Sequence, residues 1–121
     1  MAEIMKMISQ AVRPGISSVE LNNLAERLTM DGGDKPAFLN YRPSGAKRPY
    51  PASLCVSVND EIVHGIPNEG DKILKEGDIV SLDMGLVHKG LITDMAVTVP
   101  VGKIDDSARK LIEVCKDSLM K

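Results

Sequence analysis

Apolar positions along this 121-residue chain recur with two different periods. Ile4, Met5, Ile8 and Val12 fall at helical spacing and predict a helix over residues 2–12. Pro14-Gly15 ends it. Ser17 or Ser18 then caps a second helix, with Glu20 three residues after Ser17 as in a capping box. Leu21, Leu24, Ala25 and Leu28 form its apolar face, and Gly32-Gly33 stops it. Residues 34–53 lose all periodicity. They are rich in Pro, Gly, Lys and Arg and read as a long loop, a feature that is often functional inside a compact domain.

The period then changes to two. Leu54 to Val58 reads as a strand, Asn59-Asp60 as a turn, and Glu61 to His64 as the returning strand. Gly65-Ile66-Pro67 closes this first hairpin. Ile79 to Val87 and Leu91 to Val99 read as a second hairpin, joined by a tight turn at Lys89-Gly90. Ser107 to Lys121 is a final helix with Leu111, Ile112, Cys115 and Leu119 on one face. The order helix, helix, loop, hairpin, hairpin, helix predicts a single α+β domain over residues 1–121, with helices packed on one face of a curved antiparallel sheet.

Composition narrows the function classes. The apolar fraction is 43% and the charged fraction 26%, ordinary for a soluble globular domain. A net charge of −2 without a basic stripe gives no nucleic-acid surface. No apolar run approaches a membrane span, and residues 1–10 lack a signal-peptide pattern, so the expectation is a cytoplasmic protein with no membrane or nucleic-acid partner. Cys55 and Cys115 lie far apart and form no close-spaced metal pair; free thiols are expected. The aromatic residues are only Phe38, Tyr41 and Tyr50, all within the unpatterned loop. Their clustering hints at a pocket or lid, with a loop pinned by its own rings as the plainer reading.

The sharpest chemical signal is a pair of carboxylates. Asp83 and Asp94 each interrupt an apolar strand, on the two arms of one hairpin. An ionised carboxylate in such a run is costly unless paired or metal-bound. Similar distances from the turn would make them cross-strand neighbours. Carboxylates directly opposite repel, which argues for a divalent cation between them. Strand alternation leaves the other reading open, that one or both face solvent. His64 is the second signal: its imidazole can act as acid, base or hydrogen-bond donor near neutral pH. A lone histidine is more often a surface or packing residue. His88, in the tight turn, reads as exposed and without a role.

Longer motifs surround these residues. Cys55-Val56-Ser57-Val58-Asn59-Asp60-Glu61-Ile62-Val63-His64-Gly65-Ile66-Pro67 resembles a signature of type I methionine aminopeptidases, as does Gly77 to Gly85 followed by Gly90 to Asp94 and Val99 to Gly102. The likeness runs through nearly the whole chain, and the histidine motif together with the aspartate pair is specific where either alone is weak.

The resemblance implies half of a pita-bread fold, whose two similar halves enclose a two-metal site. It implies that Asp83 and Asp94 are metal ligands, Asp94 bridging, for divalent ions of the Co, Mn, Fe, Zn or Ni class. It implies that His64 contacts the substrate and helps stabilise the tetrahedral intermediate. Tyr41, Tyr50, Cys55 and Phe38 would line the pocket for a methionine side chain. The implied activity is removal of the N-terminal methionine from nascent proteins. The family's remaining ligands, a histidine and two glutamates, come from its second half. After Asp94 this sequence has no histidine and only Glu113 as a glutamate. The expectation is therefore an incomplete, weakly active or inactive half, able to pair as a homodimer through the surface of the missing half. A non-catalytic binding module of the same fold, or a truncated fragment, is the alternative.

Overall fold

The structure, a computed structural model, describes residues 1–121. Helix α1 spans Ala2–Ala11 and α2 spans Ser18–Asp31. The α2 start is the capping box the sequence predicts. Ser17 Oγ accepts from the Glu20 amide at 3.1 Å, and the Ser17 amide donates to Glu20 Oε2 at 2.9 Å. Four strands follow: β1 (Lys35–Pro36), β2 (Cys55–Val58), β3 (Ile79–His88) and β4 (Leu91–Pro100). Helix α3 covers Asp106–Leu119.

β3 is the centre of an antiparallel sheet. β4 pairs with it along its whole length, while β1 and β2 share its other side. The β3–β4 turn matches expectation: Lys89 and Gly90 both have positive φ, the geometry that suits a two-residue hairpin. Val80, Leu82 and Met84 of β3 and Val56 of β2 point to one face and pack on Met5 and Ile8 of α1 and Leu21 and Ala25 of α2. These apolar side chains are almost fully removed from water and form the core. The opposite face of β3 carries Ser81, Asp83, Gly85 and Val87, so one strand separates core from chemistry by alternation alone.

Two expectations are corrected. Residues 34–53 are not wholly irregular: Lys35–Pro36 pairs with Val87 and Leu86 of β3. The first predicted hairpin does not form. β2 takes β3 as its partner, and Glu61 to His64 is irregular, with Ile62, Val63 and His64 exposed. Asn59 and His64 both adopt left-handed φ, which breaks the extended backbone a strand requires. Ile62 and Val63 are adjacent and both exposed, so they never supplied a period-two pattern.

β4 and α3 are the thinly covered side of the molecule. Leu91 and Ile92 are more than 70% exposed, and Leu111, Val114 and Leu119 project from an α3 that buries no residue. No helix is long and apolar enough to cross a membrane.

Candidate functional site

The site is built on the non-core face of β3. In register, Cys55 of β2 lies directly across from Asp83 on one side, and Ala96 of β4 lies across from it on the other. Asp94 pairs with Gly85. The two aspartates are thus on one face but diagonal, two register positions apart. They are not directly opposite, as equal distances from the turn would require. A diagonal pair still lies within reach of side chains. Their environments also differ from expectation. Asp83 is half-buried, whereas Asp94, on the edge strand, is exposed. Only Asp83 pays an appreciable desolvation cost.

That cost is visible in the electrostatics. Burial pushes the Asp83 carboxyl above the ordinary range, the Asp94 charge pushes it further, and His64 opposes both. Asp83 Oδ1 is buried and has no hydrogen-bond partner. A buried, unpartnered carboxylate oxygen beside a second carboxylate is the arrangement that a cation completes. The donor set suits a hard or borderline divalent ion. Yet no group of three or more His, Cys, Asp or Glu side chains is gathered around it.

The loop after β1 closes the site from one side. Phe38 packs against the sheet where Gly85 makes room: a Cβ there would meet the Phe38 ring at 2.9 Å. Phe38 and Tyr50 stack edge to face, with ring centroids 6.3 Å apart. The loop ends are tied by Asn40 N–H to Tyr50 O at 2.9 Å and Tyr50 N–H to Tyr41 O at 2.8 Å. Asn22 of α2 accepts from the amides of Ser53 and Leu54 at 2.9 and 3.1 Å, fixing the entry into β2. The Tyr50 hydroxyl reaches Cys55 Sγ at 3.1 Å and Leu54 O at 3.2 Å. Burial raises the Tyr50 hydroxyl well above its usual range, and it raises the Cys55 thiol as well, so both stay neutral.

Between this loop and the sheet lies a pocket of about 480 Å³. Phe38, Tyr41, Tyr50, Cys55, His64, Asp83 and Asp94, the candidates the sequence singles out, all line it. Arg48 and Ile66 also line it, and neither is signalled by the sequence. Arg48 pairs with Glu69 and links the loop to the segment after His64. His88 is not idle either: its Nδ1 lies 2.6 Å from Asp34 Oδ1, tying the hairpin tip to the connection between α2 and β1, outside the pocket.

The profile of metallopeptidase family M24 matches residues 1–121. The chain belongs to that family.

Relatives agree. The chain is 44% identical over 118 residues to a methionine aminopeptidase of Aquifex aeolicus, covering 98% of this chain and 45% of that protein. It is 44% identical over 114 residues to methionine aminopeptidase 1 of Bacillus subtilis, covering 94% of this chain and 43% of that protein. The crystal structure of methionine aminopeptidase from Rickettsia prowazekii superposes with a TM-score of 0.89 at 34% identity, over 99% of this chain and 45% of that one. Escherichia coli aminopeptidase P, at 21% identity and a TM-score of 0.75, shares the fold. The M24 chain is thus an α+β half of the pita-bread fold, and it spans about 45% of the length of the curated relatives it matches.

Proposed function

We propose that these residues form, as one domain, the N-terminal half of a methionine aminopeptidase that removes the initiator methionine from nascent proteins in the cytoplasm. The observation that carries the reading is the Asp83–Asp94 diagonal, with its unpartnered buried oxygen, at an apolar pocket lined by Phe38, Tyr41, Tyr50 and Cys55. Asp83 and Asp94 would hold a pair of divalent metal ions together with ligands from outside these 121 residues. Such a pair, when bound, supplies Lewis acidity and water activation. The aromatic rings and the neutral thiol of Cys55 accept an unbranched thioether, which packs well against ring edges. His64, which lines the same pocket, would donate a hydrogen bond to the substrate carbonyl oxygen, favouring the charge that develops there.

Two carboxylates alone hold a divalent ion weakly. By itself a chain of these residues is therefore expected to release little or no methionine. The exposed apolar face of β4 and α3 is where the polypeptide carrying the remaining ligands would seat. A second copy of the chain is the other occupant, and sedimentation at increasing concentration separates the two: a persistent monomer rules out the homodimer.

The test is calorimetric titration with Mn²⁺ or Co²⁺ of the chain and of its Asp83→Asn/Asp94→Asn variant, with release of methionine from a Met-Ala-Ser peptide followed in the same samples. Weak binding that the double variant loses supports the metal assignment. Equal binding by both proteins removes it. Strong binding with release would show that these residues assemble a working site without a further half.

A further inference from the structure

We propose that Ser57 is a positioning residue for His64, acting through the peptide that joins His64 to Gly65; the proposal rests on reading His64 as a substrate-contacting group. His64 has a φ of +60°, a conformation non-glycine residues adopt only when their surroundings impose it. Its segment has no strand ladder to impose it, because β2 pairs with β3 instead. The constraint comes from the next residue. Gly65 is held from both sides: its carbonyl accepts from the Val56 amide at 2.8 Å, and its own amide donates to Ser57 Oγ at 3.0 Å. The Gly65 amide is buried, and its acceptor is a side chain that is itself only 3% exposed.

Ser57 therefore holds the plane of the His64–Gly65 peptide. Rotation of that plane changes ψ of His64, and with it the aim of the imidazole into the pocket that holds Asp83 and Asp94. The fit leaves little slack, since a Cβ on Gly65 would sit 2.1 Å from Val56 O. An alanine at position 57 would strand a buried N–H without an acceptor, and the segment would turn to recover one. A short side-chain hydroxyl, directed off the sheet face at this register position, fills the need.

The experiment is amide hydrogen exchange and chemical-shift analysis on the isotope-labelled chain. In the unaltered protein the Gly65 amide is expected to be protected to the same order as the Val56 amide. Ser57→Ala is expected to cut Gly65 protection at least tenfold, to leave the β3–β4 amides protected, and to move the His64 Cα and Cβ shifts away from left-handed values. Ser57→Thr, which keeps the hydroxyl, is expected to restore both. A freely exchanging Gly65 amide in the unaltered chain overturns the proposal whether or not a variant folds. So does a uniform loss of protection in Ser57→Ala with His64 shifts unmoved, since that marks Ser57 as packing only. None of these readouts requires metal or methionine release, so failure of the aminopeptidase reading would be seen separately in the metal titration.

Discussion

Asp83 and Asp94 project from the same face of the β3–β4 hairpin on a diagonal, with Gly85 across the ladder from Asp94 and Ala96 across from Asp83. Asp83 Oδ1 is buried there without a hydrogen-bond partner. Because burial and Asp94 raise the Asp83 carboxyl, the folded chain binds a proton there more readily than the unfolded chain does. Stability is therefore lost as pH rises from the ordinary carboxylate range, near about 4, through the raised Asp83 range. Asp83→Asn removes that loss. In chelator at pH 7 the variant is expected to be the more stable, by less than about 1 kcal/mol because much of the side chain is solvent-screened. The difference closes toward pH 3. Urea unfolding at the two pH values checks this, and equal stabilities at pH 7 would refute it.

The two thiols should react very differently. Cys55 is 3% exposed and its thiol is raised chiefly by burial, whereas Cys115 is exposed on α3. The thiolate is the nucleophile, so brief iodoacetamide treatment near pH 8 should modify Cys115 and spare Cys55. Peptide mass spectrometry reads the ratio. Comparable labelling in the folded chain would mean the pocket wall opens readily.

Gly65→Ala should be costly in a way its loop position does not announce. The added Cβ would lie 2.1 Å from the Val56 carbonyl oxygen, a backbone atom that cannot swing aside. A loss of about 1–3 kcal/mol is expected from the forced shift. Thermal unfolding measures it, and a near-neutral substitution would show that the segment is not pressed against β2.

At the other end of the domain, Ser17→Ala removes the side chain that accepts the Glu20 amide. The expected cost is about 1 kcal/mol. Glu20→Ala removes only the reciprocal bond to the Ser17 amide and should cost less. The order of the two midpoints in a urea series is the measurement, and the reverse order would place the cap's strength in the glutamate.

The helices were legible because their causes are local. A 3.6-residue apolar period, a capping box at Ser17 and a stop at Gly32-Gly33 all act within a few residues, and α1 and α2 form within two residues of the predicted ends. The β3–β4 hairpin was legible for the same reason, since two positive-φ residues, Lys89 and Gly90, set its register. The partner of β2 was not. Choosing Ile79–His88 over Glu61 to His64 depends on which strand can bury Val56 and Val58 against the helices, and that is decided across more than twenty residues of chain.

By itself, then, the sequence determined the helix ends and the tight hairpin, because capping and turn chemistry are carried by neighbouring residues, and its motifs pointed to Asp83, Asp94, His64 and the aromatic loop but not to Arg48 or Ile66. The tertiary structure alone decided how those side chains meet. It set Asp83 diagonal to Asp94, placed Cys55 across from Asp83, folded the aromatic loop over both, and turned His64 toward them through Gly65 and Ser57. The physical reason is that strand alternation assigns a side chain to a face, whereas its neighbours on that face are fixed by long-range register and by which surfaces must leave water together.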